Sequence, residues 1–401
     1  MTRHLLKLIW NRKRSNLLLM SEIFFSFLVL LFVVGLGLYY VDNYRQPLGY
    51  SYADVWRITI DPNLGGPNPS SAEAVETGRQ LLMAAKDLPQ VETAAIAFTA
   101  PFGNGSWSTD YEADGRHFEY ELNRVTDDFA KVMGLEVVRG RWFDRQDDAA
   151  AVEPVVVNER LSRIAFGALD PIGRLLPQDK ERDGKERPPK QVIGVIRDFR
   201  QHGEFDAPGS FLFSRTNLAT TTDGPRLLLV KVRPGTTAAF QETLTRRFEG
   251  VAKDWSFKVQ SLTEMRDTNH RERLAPVLAV SLVAGFLLLM VALGLTGVLW
   301  QNVTQRTREI GLRRAKGATA RNIYGQIVGE ILMMTTLSLV LAVVLVLQLP
   351  FLGLLSHVAP RVLVASLFVS IAALYGLAAI CGMHPARLAT RVQPAEALHY
   401  E

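Results

Sequence analysis

The sequence is poor in cysteine, since Cys381 is its one thiol among 401 residues. A single thiol makes no internal disulfide, so any folded region must be stabilised by its own apolar core. The sequence also has no cysteine and histidine cluster at zinc-ligand spacing and no G-x-x-x-x-G-K-S/T phosphate loop. These absences argue against a disulfide scaffold, a zinc centre and a nucleotide-binding loop.

Other catalytic and binding patterns are incomplete. Residues 103–107 lack the second glycine of a G-x-S-x-G nucleophile elbow, and the aspartates at 144, 147 and 148 do not have calcium-loop spacing. The basic residues do not interleave with aromatics over a folded face, so nucleic-acid binding has no support. We therefore expect no catalytic site, no metal and no cofactor bound by this chain.

Long apolar runs are present towards both ends of the chain, and about 20 apolar residues in a helix cross the hydrocarbon core of a bilayer. The runs are Leu17–Val41, Leu274–Val303, Ile331–Leu355 and Val362–Met383. They predict four transmembrane helices, at residues 17–41, 273–303, 327–355 and 362–383. The first run exceeds the apolar core of a signal peptide, about 7–15 residues, and residues 37–41 make a poor cleavage site. We expect it to remain as an anchor.

The distribution of lysine and arginine predicts the orientation. Residues 1–16 carry five basic residues and no acid, residues 304–326 are strongly basic, and the tail 384–401 carries Arg387 and Arg391. The short turn 356–361 has one basic residue, Arg361. With these spans, all three basic segments lie on the cytoplasmic side. We expect an inner-membrane, multi-pass protein with both termini in the cytoplasm and residues 42–272 in the periplasm.

Residues 42–272 resemble a folded α+β domain rather than a linker. Val55–Ile60 alternates apolar and polar residues, as a half-buried strand does. Ser71 is predicted to cap a helix that extends to about Leu88. Further strands are predicted at 93–98, 118–125, 155–157, 191–196 and 226–232, and further helices at 127–133, 159–166 and 237–253. The predicted fold is a multi-pass α-helical membrane protein, with four transmembrane helices and a large α+β periplasmic domain between helices 1 and 2.

The basic segment between the second and third spans has a helix-break-helix pattern. Residues 305–316 are typical of a short helix that ends before Gly317, where a left-handed backbone is easily adopted. Thr319 is predicted to cap the next helix, and Glu309 and Arg313 have favourable i, i+4 spacing. From these residues alone, the segment either docks a partner protein or simply sets topology with its basic side chains on lipid phosphates.

Three smaller features have two interpretations each. The N-terminal segment 1–16 is either an amphipathic helix in the membrane interface or a charged leader. Glu22 and Glu330 lie near the cytoplasmic ends of spans, where each can take part in proton transfer or simply reach water or an arginine. We favour the second interpretation for both glutamates.

Several phrases of the sequence resemble a known family. FAKVMGLEVVRGRWF (129–143), VVVNERLSRIAFGALDPIGRL (155–175) and VIGVIRDF (192–199) resemble the periplasmic core domain of MacB-type permeases. REIGLRRAKGATARNI (308–323) and PARLATRVQPAEAL (385–398) resemble the FtsX-like permease module. Together the matches cover nearly the whole chain in the family's order.

The resemblance implies a non-catalytic permease subunit of a mechanotransmitting ABC transporter. ATP and Mg²⁺ would then bind to a separate cytoplasmic ABC ATPase, which acts as a dimer. The other implied partners are a second permease chain, identical or related, a periplasmic adaptor, an outer-membrane channel and membrane lipids. The implied ATPase-coupling residues are Arg308, Glu309, Ile310, Gly311, Leu312, Arg313, Arg314, Gly317, Ala318 and Thr319.

Efflux or export of peptide, antibiotic or other periplasmic cargo is the function that the resemblance favours. Extraction of lipoproteins from the membrane is one alternative. A second is an FtsX-type transmembrane regulator of periplasmic cell-wall hydrolases, although the outer domain is larger than such a regulator needs. A membrane-anchored enzyme has no catalytic constellation to support it.

Overall fold

The computed structural model describes residues 13–62, 69–103, 105–113, 116–176, 189–222, 224–305, 312–313, 315, 317–349, 352 and 358–391. The predicted N-terminal segment therefore lies mostly outside the described residues, as do much of the predicted loop 304–326, part of the turn 356–361 and the end of the tail. The chain divides into two compact units, one formed by residues 1–42 with 274–401 and one by residues 43–273.

The described elements alternate between long helices at the ends of the chain and a mixed central region. In chain order they are α1 (Lys13–Tyr44), β1 (Val55–Asp61), α2 (Ser71–Lys86), β2 (Val91–Ile96), β3 (Ser108–Ala113), β4 (Arg116–Val125), α3 (Phe129–Met133), β5 (Val137–Gly140), a 3₁₀ turn (Arg145–Ala149), β6 (Glu153–Asn158), α4 (Glu159–Phe166), β7 (Lys190–Ile196), β8 (Phe211–Arg215), β9 (Leu227–Val232), α5 (Ala239–Glu249), β10 (Ser256–Ser261), α6 (Leu262–Gln305), α7 (Ala320–Val346) and α8 (Pro360–Arg391).

The first unit is helical. Among the described residues, four helices are long and apolar enough to cross a membrane: α1, α6, α7 and α8. A helix satisfies its own backbone hydrogen bonds, which hydrocarbon requires. Buried side chains from all four helices form one apolar core, including Phe27, Leu295, Ile331 and Ala378. The predicted multi-pass fold, with a large α/β domain between the first two helices, is confirmed.

The helix limits differ from the predicted spans. α6 begins at Leu262 rather than at residue 273, and α8 continues to Arg391 rather than ending at 383. α7 ends at Val346, with Leu347 as its C-cap, whereas the predicted span continued to 355. Pro350 lacks the backbone N–H that would continue the helical hydrogen-bond pattern to the carbonyl oxygen of Val346.

In its described ranges, the second unit, the outer domain, contains two sheets. The four-stranded sheet has the order β10-β1-β9-β2 and is antiparallel throughout, with Trp56 paired to Ser261 between β1 and β10. The six-stranded sheet has the order β3-β4-β8-β6-β7-β5, in which β4/β8 and β6/β7 are parallel pairs. Across the two sheets, four of the described strands have no counterpart in the sequence prediction: β3, β5, β8 and β10.

Among its described residues, the outer domain has three apolar cores, one of which packs Leu161 of α4 on the six-stranded sheet. On the four-stranded sheet, Ile58 and Leu228 pack with Leu81 of α2 and Phe248 of α5, all fully buried. Between the sheets lies an aromatic core that includes Phe129, Phe199, Phe211 and Phe213. Burial of each such side chain contributes about 1.5–3 kcal/mol, so the domain needs no disulfide to provide a core.

The N-cap of α2 was predicted one residue too late. Ser70, not Ser71, is the cap, and its side chain accepts a hydrogen bond from the backbone N–H of Glu73. The Glu73 carboxylate in turn accepts from the backbone N–H of Ser70 at 2.9 Å, which completes a capping box. The box requires an acidic residue three positions after the cap, and this spacing selects Ser70.

Candidate coupling site

The break between α6 and α7 has the geometry that the sequence predicts. Gly317 has a φ of +96°, in the left-handed region. The backbone N–H of Ala318 donates to the carbonyl oxygen of Arg313 at 3.0 Å, which is the 6→1 hydrogen bond of a Schellman motif. The left-handed conformation predicted for Gly317 is confirmed, whereas most of the predicted helix 305–316 lies outside the described residues. We call residues 312–319 the coupling turn, although Arg314 and Lys316 lie outside the described residues.

The second half of the turn starts α7. Thr319 has extended backbone, with φ −72° and ψ 155°, and its Oγ1 accepts a hydrogen bond from the N–H of Asn322 at 3.3 Å. The predicted N-cap is therefore confirmed. The side chain of Leu312 is 48% exposed, and Ala318 is half-buried. The turn thus presents an apolar residue on a short, well-capped corner.

Arg313 ties the turn to α7. Its Nη1 donates to Oε1 of Gln326 at 2.6 Å, and Nε2 of Gln326 donates to Oε1 of Glu330 at 3.3 Å. The predicted partner of Arg313, Glu309, lies outside the described residues. Gln326 and Glu330 have i, i+4 spacing on one helix, and this signal indicates that they share a face. Glu330 thus belongs to a polar chain that reaches the turn.

The remaining predicted coupling residues cannot be located on this turn. Arg308, Glu309, Ile310, Gly311 and Arg314 lie outside the described residues. Their role in docking stays a prediction, as does that of the described residues of the turn.

Within the outer domain, a second site joins two chain segments that are distant in sequence. Arg200 is 3% exposed and donates four hydrogen bonds to backbone carbonyls. Its Nη1 reaches Asn43 at 2.8 Å and Gln46 at 3.0 Å. Its Nη2 reaches Glu204 at 2.6 Å and Asp206 at 2.5 Å. The planar guanidinium therefore fixes residues 43–46 against residues 199–206, which we call the clamp loop.

The clamp loop also holds the first turns of α6. The carboxylate of Glu204 accepts hydrogen bonds from Nε of Arg266 at 2.5 Å and from Nε2 of His270 at 3.0 Å. Burial raises the pKa of Glu204, but the hydrogen bonds from Arg266 and His270 outweigh burial and bring this pKa below its ordinary value. Asp206 accepts from Nη2 of Arg273 at 2.7 Å. Charged hydrogen bonds of this kind are the stronger ones in proteins.

Aromatic contacts also join the clamp loop to the end of α1 and to the first turns of α6. The ring of Phe205 lies 5.9 Å from the ring of Tyr44 and 4.9 Å from that of His270, measured between centroids. The amide of Asn43 donates to the carbonyl oxygen of Phe205 at 3.1 Å. Tyr44, the last residue of α1, therefore packs on the clamp loop. The clamp as a whole was missed, although the i, i+4 spacing of Arg266 and His270 is visible in the sequence.

Within the described ranges, no group of three or more His, Cys, Asp or Glu side chains is arranged to hold a metal ion. One of the two sites is an exposed, capped corner, and the other is a buried joint.

Two family models match the chain. A model described as MacB-like periplasmic core domain matches residues 23–247, more than half of the chain. A model described as FtsX-like permease C-terminal matches residues 281–394. The two matches follow one another in the order of the outer domain and the later membrane helices.

Similar proteins carry related descriptions. The pyoverdine export ATP-binding/permease protein PvdT of Pseudomonas syringae pv. tomato is 24% identical over 344 residues, which cover 84% of this chain and 50% of that protein. The macrolide export ATP-binding/permease protein MacB of Agrobacterium fabrum is 29% identical over 284 residues, which cover 68% of this chain and 42% of that protein. The chain thus spans about half the length, or less, of these two relatives.

A third relative is nearer in length. The ABC transporter permease YknZ of Bacillus subtilis is 23% identical over 306 residues, which cover 73% of this chain and 74% of that protein. Among solved structures, the periplasmic region of MacB from Actinobacillus actinomycetemcomitans aligns with 54% of this chain and 92% of its own, at 16% identity and a TM-score of 0.38. On the family models, the chain belongs to the ABC transporter permeases that combine a MacB-like periplasmic core domain with an FtsX-like permease module.

Proposed function

We propose that this chain is the permease subunit of a bacterial ABC exporter and that a separate cytoplasmic subunit hydrolyses the ATP. The sequence has no phosphate-loop motif, and its matched segments are the periplasmic and permease models. The similar proteins are named for export of pyoverdine and of macrolides. Export of a small molecule or peptide from the periplasm is the corresponding activity for this chain.

The proposed orientation follows from charge. The segments 1–16 and 304–326 are rich in arginine and lysine, and such segments remain in the cytoplasm. The tail 384–401, which carries Arg387 and Arg391, lies on the same side if the chain has four spans. The coupling turn then faces the cytosol at the inner membrane, where an ATPase can reach it. The outer domain, between α1 and α6, is then periplasmic.

In the proposed mechanism, the ATPase dimer moves the coupling turn, and the outer domains of two permease chains respond. The turn is short and capped on both sides, so a push on it shifts the start of α7 rather than deforming a loop. Transmission needs an element with two discrete arrangements that ATP binding favours differently. Cargo is handled outside the membrane, with an adaptor and an outer-membrane channel as further partners.

The clamp loop is the observation that carries this proposal. Through Arg200 and Glu204, one buried loop binds residues 43–46, which follow α1, and the first turns of α6. These are the two segments through which the chain enters and leaves the outer domain. A displacement of either segment therefore acts on the domain directly, which supports mechanical coupling.

Two substitutions at Gly317 test the proposal. A β-branched residue in left-handed backbone is strained by at least about 1–2 kcal/mol, whereas asparagine tolerates that conformation. A Cβ built at this position comes within 4 Å of no described atom, so the backbone alone decides the effect. With the full chain and its ATPase in nanodiscs, we expect Gly317→Val to lower permease-stimulated ATP hydrolysis and export at least about fivefold.

The matched control is Gly317→Asn, for which we expect activity within about twofold of the unmodified chain. Co-purification with the ATPase is measured for both variants. Equal activity of the valine and asparagine variants, or failure of the unmodified chain to associate with any ABC ATPase, would refute the proposal.

A further inference from the structure

The outer domain contains a concave cleft that the coupling mechanism does not use. Its volume is about 720 Å³, and it lies where the end of β1, the start of α2 and the segments before β9 and β10 meet. Three aromatic residues line it: Phe98, Trp107 and Trp255. Clefts of roughly 300–1,000 Å³ with apolar and aromatic linings are the usual sites for drug-sized ligands.

One wall of the cleft exposes two large aromatic side chains. The rings of Phe98 and Trp107 lie 5.2 Å apart, with 48° between their planes. Phe98 is 37% and Trp107 is 40% exposed. The guanidinium of Arg124 lies 5.2 Å from the centre of the Trp107 ring. Paired aromatic rings that stay exposed provide a surface on which another ring can stack.

This aromatic wall is held rigidly. The backbone N–H of Phe98 donates to the carbonyl oxygen of Arg124 at 3.0 Å and to Oδ1 of Asn123 at 3.1 Å. Asn123 is fully buried, and its amide donates to the carbonyl oxygen of Thr99 at 3.0 Å. The carbonyl oxygen of Trp107 accepts from the N–H of Leu122 at 2.8 Å. The backbone that carries the two rings is therefore fixed before any ligand binds.

The opposite wall is packed too tightly to move inward. A Cβ built at Gly78 of α2 would lie 2.0 Å from Cγ of Pro225, and one built at Gly224 would lie 2.6 Å from Cβ of Ala74. The segment 224–226 is thus in direct contact with α2. Close-packed interiors of this kind do not collapse to fill a neighbouring space, so the cleft persists.

We propose that this cleft binds a neutral, ring-bearing small molecule that has polar as well as apolar groups. The exposed rings of Phe98 and Trp107 supply the stacking surface, and Trp255 extends it. Among the described lining residues, the charged ones are Asp61 and Arg226, one of each sign, so the cleft favours no net charge on its ligand. A protein partner would need a flatter surface of about 800 Å² on each side, which a concave cleft does not offer.

Photolabelling of the full chain in lipid nanodiscs tests this site. Benzophenone is the probe, because it is neutral, carries two aromatic rings and reacts with nearby C–H bonds on illumination. Labelled positions in the outer domain are found by mass spectrometry of peptides. We expect saturable labelling of the peptides that carry Phe98 and Trp107, with about tenfold less labelling in Trp107→Ala, since one stacking ring is lost.

Two further variants complete the experiment. Ser71→Trp places bulk in the cleft without removing any aromatic ring and is expected to reduce labelling to a similar extent. Leu169→Ala is the matched control, because Leu169 is a 57% exposed apolar residue of the same domain outside the cleft lining. Its labelling at the cleft is expected to equal that of the unmodified chain. Thermal melting verifies that each variant is folded.

The proposal is overturned if labelling of the outer domain does not saturate, or if folded Trp107→Ala and Ser71→Trp both label as strongly as the unmodified chain. No ATPase is present in this experiment. A negative labelling result therefore leaves the coupling proposal unaffected, and a negative result with the Gly317 variants leaves the ligand-binding proposal unaffected.

Discussion

Arg200 donates from Nη1 to the carbonyl oxygen of Asn43 at 2.8 Å, across 157 residues of sequence. A lysine keeps the charge but lacks the planar fork that serves four carbonyls at once. Each charge-assisted hydrogen bond contributes about 1.5–3 kcal/mol. We expect Arg200→Lys to lower the free energy of unfolding of the outer domain by about 2–4 kcal/mol, which is a fall in melting temperature of roughly 4 °C or more.

The full chain in detergent, melted while tryptophan fluorescence is recorded, provides the measurement. Arg197→Lys is the control, because Arg197 pairs with Glu136 at 2.7 Å while both side chains are about 60% exposed. An exposed pair contributes about 0–1 kcal/mol, so this variant should melt close to the unmodified chain. Equal melting of the two variants would show that the clamp does not stabilise the domain.

The lowered pKa of Glu204 predicts that part of the stability of the folded chain is lost in acid. In the folded chain, the pKa of Glu204 lies below its ordinary value of 4.5, which applies to the unfolded chain. At a pH between these two pKa values, the unfolded chain therefore binds more protons than the folded chain does. The stabilisation is complete above pH 4.5 and is lost as the pH falls through the lowered pKa. We expect Glu204→Gln to remove this dependence of the unfolding free energy on pH, whose slope is at most about 1.4 kcal/mol per pH unit.

Denaturant unfolding at a series of pH values below 6 measures the effect. Glu249→Gln makes the same change of charge at an exposed position of α5. It should retain the acid sensitivity of the unmodified chain. An unchanged pH profile in Glu204→Gln would mean that the carboxylate is not stabilised by Arg266 and His270.

Gly78 allows α2 to approach the segment 224–226. Alanine in a helix is favoured over glycine by about 1 kcal/mol, but here its Cβ would lie 2.0 Å from Cγ of Pro225. A proline ring cannot rotate away, and overpacking costs about 1–3 kcal/mol. We expect the clash to outweigh the propensity, so that Gly78→Ala lowers the melting temperature. Gly105→Ala, whose Cβ meets no described atom within 4 Å, should not. Increased stability of Gly78→Ala would contradict the close packing of this wall.

Cysteine labelling tests the orientation. In a Cys381→Ser background, Ala150→Cys places one thiol on the exposed surface of the outer domain, and Ala315→Cys places one on the coupling turn. In spheroplasts, a membrane-impermeant maleimide should label position 150 directly and position 315 only after the membrane is permeabilised. Labelling of position 315 without permeabilisation would contradict the proposed topology.

The sequence predicts local features of this protein well. Gly317 and Thr319 lie where the sequence predicts, because a left-handed residue and an N-cap depend on their immediate neighbours. The membrane helices follow from long apolar runs for the same reason. Their limits were less accurate: α7 ends at Val346, before Pro350. The early start of α6 at Leu262 has no apolar signal, because its first turns lie in the outer domain.

Features that depend on distant partners were not predicted. The strands β5 and β10 are short or only partly buried and acquire their structure from β7 and β1. Arg200 is an ordinary arginine in the sequence, and its burial follows from carbonyl groups that the fold brings from residues 43 and 46. The aromatic wall likewise depends on Asn123, whose Oδ1 accepts a hydrogen bond from the backbone N–H of Phe98, 25 residues earlier in the sequence.

The pairing of Trp56 with Ser261 has a consequence for biosynthesis. The strand at one edge of the four-stranded sheet, β10, is also the last strand of the outer domain to be made, directly before α6. Pairings over such sequence distances close slowly, since the loop entropy must be overcome first. While the ribosome is still producing residues 62–255, β1 has an open edge that must avoid other strands. Completion of this sheet therefore coincides with synthesis of the second membrane helix.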